Sequence, residues 1–162
     1  MKKSTIITDI QDMLSSELPG VKYIDKDWGQ LYMEQPPVGW PCVLIDIEAV
    51  EIQDLTDLNE RAVAIVVLTV ANKRTNSSSA HATSTSKGKS TATIDLTDDV
   101  HLLVQNYAKE GAEYSPLQVA SFYKLNDLPG AEVYSMRYTT RYAIDLSAQP
   151  EEQPIEQPSN NN

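Results

Sequence analysis

Residues 61–74, Arg-Ala-Val-Ala-Ile-Val-Val-Leu-Thr-Val-Ala-Asn-Lys-Arg, restrict the fold more than any other stretch. From Ala62 to Ala71 the run is apolar apart from Thr69, rich in β-branched residues and free of Gly and Pro, which predicts a strand. Both alternating sets are apolar: Val63, Ile65 and Val67 on one side, Ala64, Val66 and Leu68 on the other. Such a strand needs cover on both faces, so its expected place is the centre of a sheet.

The neighbouring segments supply that sheet. Residues 42–47 predict a second strand, with Val43, Ile45 and Ile47 on one face and Cys42, Leu44 and Asp46 on the other. Ala49, Val50 and Ile52 continue it through a bend, and the polar link 54–60 predicts an antiparallel hairpin of 42–52 with 61–72. Residues 132–146 alternate with period two. Tyr134, Met136, Tyr138, Thr140, Tyr142 and Ile144 share one face, and Val133, Ser135, Arg137, Thr139 and Arg141 the other. This predicts a long edge or half-exposed strand, or two joined by a bend. Leu117, Val119 and Phe122 read as alternating on a further strand, with a short helix from Pro116 as the alternative. Residues 21–24 and 31–33 are short β-like pieces. Three prolines within 36–41 make the link between them and the second strand extended and stiff.

Two helices are expected. Over 4–18, Ile6, Ile7, Ile10, Met13 or Leu14, and Leu18 recur at helical spacing; Ser4 is placed to cap, Asp9 and Asp12 to face water, and Pro19-Gly20 to stop the helix. Over 94–110, Val100, Leu103, Val104 and Tyr107 form a stripe. Thr97 is the expected N-cap, Asp98 and Asp99 stand in the first turn, and Lys109 and Gly111 lie at the far end. Residues 75–93 carry Ser, Thr, Ala and Lys but no bulky apolar side chain, which predicts a flexible arm bearing Lys87 and Lys89. The Pro-, Glu- and Asn-rich tail, 147–162, is expected to be disordered. The expected fold is therefore α+β: one domain over 1–146, with a mainly antiparallel sheet of about four to five strands and two helices packed on one face.

Thirteen basic residues against 23 acidic ones give a net charge of −10. Phosphate binding needs clustered Lys and Arg, so neither nucleic acid nor an anionic membrane is expected as the main partner. Cys42 is the single cysteine and forms no internal disulfide. The N-terminus places Asp9 and Asp12 where a signal peptide would be apolar, and no window reaches the roughly 18 apolar residues of a membrane span, so a soluble protein made in the cytoplasm is expected.

Candidate chemistry is sparse. Gly88-Lys89-Ser90 imitates the end of a phosphate loop, but Thr83 stands where that motif needs a glycine. Asp46 and Glu48 resemble the start of a nuclease carboxylate pair, yet the next lysine is Lys73; an edge feature or partner contact fits them better. His81 in the arm, His101 on a helix surface and Cys42 in an apolar strand make no convincing metal set. Asn76-Ser77-Ser78 fits a glycosylation sequon without a secretory signal to expose it. No catalytic, cofactor or metal residues are assigned and no enzyme activity is expected. The candidate interface residues are Trp40, Lys87, Lys89, Arg137 and Arg141. Trp40 is read either as an exposed anchor or as a lid on the core beside Pro41. The two arginines are read either as a solvated strand face or as a subunit contact.

The order of elements, with the entry strand Pro41-Cys42-Val43-Leu44-Ile45-Asp46 and the closing strand Arg137-Tyr138-Thr139-Thr140-Arg141-Tyr142-Ala143-Ile144-Asp145, resembles the tail-terminator (tail-completion) proteins of bacteriophages over residues 4–146. The resemblance implies a sheet packed on two helices. It also implies a homo-oligomeric ring, commonly a hexamer, in the neck of the virion, contacting other neck and tail proteins to join tail to head. The arm and the acidic tail depart from the compact form of that family and leave open another neck component. An acidic ring around a DNA channel is compatible with the charge, because repulsion keeps DNA from sticking. The alternative is a small bacterial regulatory or ligand-binding module, which a deep pocket with convergent polar groups would favour.

Overall fold

A computed structural model describes residues 2–54, 60–74, 79 and 81–144. The elements are α1 (Lys3–Glu17), β1 (Tyr23–Lys26), a 3-10 turn (Gln30–Tyr32), β2 (Cys42–Asp54), β3 (Glu60–Lys73), α2 (Ser84–Val104), β4 (Gln118–Leu125) and β5 (Ala131–Ile144). The five strands form one sheet in the order β1-β2-β3-β5-β4. β1 runs parallel to β2 and the other pairings are antiparallel. The fold is α+β, with β3 at the centre of the sheet as its two apolar faces require.

The expected hairpin forms, with Cys42 opposite Ala71 and Asp54 opposite Glu60. A bulge between Ile47 and Ala49 inserts Glu48 and supplies the bend in β2. Because paired residues share a face, the register divides the sheet. One face carries Val43 and Ile45 of β2, Ala62, Ala64, Val66, Leu68 and Val70 of β3, and Met136, Tyr138 and Tyr142 of β5. Ile6, Ile10 and Leu14 of α1 and Val100 and Val104 of α2 pack onto it to form the main core, with α1 over β1 and β2 and α2 over β3 and β5. Each fully buried aliphatic side chain of this core contributes about 1.5–3 kcal/mol relative to exposure.

Several sequence expectations need correction. β5 is not an edge strand: it pairs with β3 on one side and β4 on the other, and only its half-exposed character holds. The edges are β1 and β4. The second helix starts at Ser84, ten residues before the expected Ile94, so residues 84–93 of the supposed arm are helical; residues 75–78 and 80 lie outside the described set, as does the tail. Thr83 is the N-cap, accepting from the Ser86 amide at 3.2 Å. Thr97, the expected cap, lies inside the helix, buried, and donates to the Thr93 carbonyl at 2.6 Å. Small buried threonines at 93 and 97 extend the packed stripe of Val100 and Val104 toward the N-terminus, where an aliphatic pattern would have been legible. The helix stops at Val104, before Lys109 and Gly111, and Asn106 takes a positive φ of 63° just beyond it. Ser4 does not cap α1, whose N-cap position is Lys2 and has no side-chain cap bond.

Candidate protein-contact face

The second sheet face is covered over half its length. Cys42 and Leu44 of β2, Ala71 of β3 and Val133 of β5 are buried there under Leu31, with Tyr23, Val38, Trp40, Leu125 and Leu128 packed around them. The cover is the irregular segment 27–41, which leaves β1, makes the 3-10 turn and returns to β2. Two glycines fix its path. Gly29 takes a φ of 89°, open to glycine without strain, and a Cβ on Gly39 would lie 2.9 Å from Cβ of Lys22. Gln30, fully buried, donates from Nε2 to the Lys26 carbonyl (2.9 Å) and accepts from the Trp28 amide (2.8 Å), so the crossing carries its own polar partners.

Beyond this cover, no described residue lies over the same face. Val63, Ile65 and Val67 alternate along β3, each only half-buried. The register sets Asp46 and Arg137 on either side of Val67, Ala49 and Thr139 beside Ile65, and Glu51 and Arg141 beside Val63. The acids thus stand on β2 and the arginines on β5, with an apolar ridge between them. Arg61, diagonal to Arg141 and exposed, stands on β3 itself and ends the ridge beyond Val63. Across the ridge, Arg137 Nη2 donates to Glu48 Oε1 at 2.7 Å, so the bulge turns Glu48 onto this face. The Arg137 guanidinium lies 5.3 Å from the Tyr123 ring, and its Nε is a buried donor with no partner. Arg141 is exposed, and among the described residues its guanidinium makes no ion pair.

The five candidate interface residues separate on this frame. Arg137 and Arg141 lie together on the open half-face. Trp40 is on the same side of the sheet but at the covered end, a half-buried lid with Lys73 Nζ 5.9 Å from its ring. It lines a hollow of about 220 Å³ with Met33, Pro36 and Leu128. Lys89 is exposed on α2, on the opposite side of the sheet; Lys87 is within the same helix, and its side chain lies outside the described set. The structure therefore gathers two of the five with Arg61, Asp46, Glu48 and Glu51. Arg61 and Glu51 were legible only once the hairpin register was known.

Other sequence candidates fall elsewhere. Gly88-Lys89-Ser90 is inside α2, which has no loop amides to cradle a phosphate there. Lys73 pairs with Ala131 at the far end of β3, away from Asp46 and Glu48. His81 is exposed, whereas His101 is half-buried rather than on a free helix surface: its Nδ1 is 2.8 Å from the Tyr138 hydroxyl and its ring stacks on that tyrosine. Burial pushes the Cys42 thiol up from 9.0 to about 12, which leaves it protonated and unreactive at neutral pH. Among the described residues no group of three or more His, Cys, Asp or Glu is placed to hold a metal, and no helix is long and apolar enough to cross a membrane.

Asp9 is the largest surprise among the polar residues. It does not face water but is 5% exposed. Lys109 Nζ donates to its Oδ1 at 2.9 Å and the Tyr114 hydroxyl to its Oδ2 at 3.2 Å, while the Tyr107 hydroxyl donates to its carbonyl at 3.1 Å. The hydrogen bond to Asp9 raises the Lys109 ammonium above its ordinary value, and burial raises the Tyr114 phenol. The cluster ties α1 to the segment between α2 and β4, and every group in it is used in that tie.

No family model matches this chain. A search of curated proteins finds no relative.

Proposed function

We propose that the protein is a structural subunit of a bacteriophage virion, a neck or tail-terminator component that assembles into a homo-oligomeric ring and joins tail to head through protein–protein contacts. One observation carries the reading: among the described residues, half of an otherwise well-packed sheet face presents an uncovered apolar ridge flanked by opposite charges. A stable strand such as β3 leaves Val63, Ile65 and Val67 half in water only at a cost of about 25 cal/mol per Å² of exposed apolar surface. An assembly partner recovers that cost, and fixed charges on either flank set the partner's orientation.

A second surface suits ring contacts. β4 is a sheet edge with one charged residue, Lys124, no proline and exposed Val119 and Phe122. An edge of that kind accepts another chain's backbone.

The test is direct. Purified protein is expected to form a discrete oligomer of ring dimensions by light scattering and negative-stain imaging. An antibody against it is expected to label the head–tail junction of phage particles. A chain that stays monomeric at high concentration and labels no particle refutes the proposal.

A further inference from the structure

We infer that the open half-face is self-complementary and seats a second copy of this chain, turned about a two-fold axis that runs parallel to β3. The inference deepens the self-assembly reading and rests on it for the identity of the partner.

The argument is one of charge and symmetry. Glu51, Val63 and Arg141 lie side by side in one row across β2, β3 and β5. Two in-plane axes lay this face upon itself with the strands of the two copies aligned. An axis across the strands stacks β2 on β2 and sets acid on acid. An axis along β3 leaves each row at its own height and exchanges left with right. Arg141 of each copy then stands over Glu51 of the other, twice by symmetry, while Ile65 meets Ile65 near the axis and the two exposed Arg61 side chains come together at its end. One row lower, Asp46 of each copy comes over Arg137, whose side chain already bridges to Glu48 and retains an unfilled donor. Aligned sheet packing at about 10 Å separation sets strands about 30° apart, which tilts the axis about 15° from β3.

Size sets the strength. Residues 61–67 span about 23 Å at ~3.3 Å per residue, and three strand spacings of ~4.8 Å give a width of about 14 Å. The flat footprint of about 320 Å² is well under the ~800 Å² per partner of a standard interface. The pairing is therefore weak, salt-sensitive and dependent on its charges, and becomes significant where copies are concentrated, as in a particle. A two-fold contact closes on itself, so ring neighbours must meet through a different surface, such as the β4 edge.

Charge reversal tests it. Sedimentation velocity of the full chain at 50 and 500 mM NaCl compares wild type, Glu51→Arg, Arg141→Glu and the double variant. Both positions are exposed, so all four proteins are expected to melt together. Wild type is expected to dimerise at low salt and less at high salt. Each single reversal is expected to weaken dimerisation roughly tenfold, and the double reversal to restore it to within about threefold. With Ile65→Cys, a short bis-maleimide is expected to give covalent dimers, since Cys42 is buried. Three results overturn the pairing: no self-association, single variants that associate like wild type, or a double variant no better than the singles. A ring indifferent to the three charge variants also overturns it while leaving the ring reading intact, and a charge-dependent dimer that never forms rings supports the pairing and refutes the ring.

Discussion

The two halves of the second sheet face are made by the same three strands yet end differently. At one end Leu44 and Val133 are buried beneath the crossing segment. At the other, Val63 and Ile65 stand half in water. Strand propensity and alternation are the same along both halves. What separates them is whether an irregular segment, held by Gly29, Gly39 and Gln30, returns over the strands. Cover is thus a property of connections, and a strand apolar on both faces signals only that cover is needed, from this chain or from another.

Truncation should expose that contrast most strongly. Leu44→Ala, in the covered half, is expected to cost about 2–5 kcal/mol in urea unfolding, through lost transfer energy and a cavity. Ile65→Ala, at half exposure on the open half, is expected to cost under about 1.5 kcal/mol. Equal losses at the two positions would erase the distinction.

Next comes the Asp9 tie. Asp9→Ala leaves the 6%-exposed Tyr114 hydroxyl without its acceptor, and a loss of about 1–3 kcal/mol is expected with no change in self-association. A variant as stable as wild type would mean that the cluster adds nothing to the fold.

The covered half also predicts a pH dependence. The folded Cys42 thiol, at about 12, lies above its ordinary 9.0, because burial disfavours the thiolate. Its contribution is complete below about pH 9 and declines as pH rises toward 12, by up to about 1.4 kcal/mol per pH unit. Buried Tyr114 and Tyr138, both raised, add to the decline above their ordinary value of 10.0. Urea midpoints between pH 8 and 11 should fall, and should fall less in Cys42→Ala. A flat profile would contradict burial of the thiol.

The smallest effect belongs to the bridge over the open half. Arg137 and Glu48 are 37% and 46% exposed at the side chain, so Arg137→Ala is expected to cost at most about 1 kcal/mol. A larger loss would place this pair in the core's energetics.

Much of this arrangement was legible in the residues. The Ala62–Ala71 run, the hairpin and the Ile6–Ile10–Leu14 stripe follow from apolar periodicity, which burial enforces directly. The start of α2 was not legible, because threonines at 93 and 97 pack without looking apolar. The burial of Asp9 is not local information: it borders the α1 stripe, and its partners Lys109 and Tyr114 are about a hundred residues away in sequence. β5 looked like an edge because its second face is polar, although strand β4 comes back beside it. The open half-face follows from both the alternation of Arg137 and Arg141 and the register that sets Glu51 and Arg61 beside them, and only the first is local.

The claim that the open half-face is a contact surface is tested most directly by Ile65→Lys. Sedimentation equilibrium at rising concentration is expected to show the variant associating at least about tenfold more weakly than wild type, with matching thermal melts. Association of the variant equal to that of wild type would contradict the account.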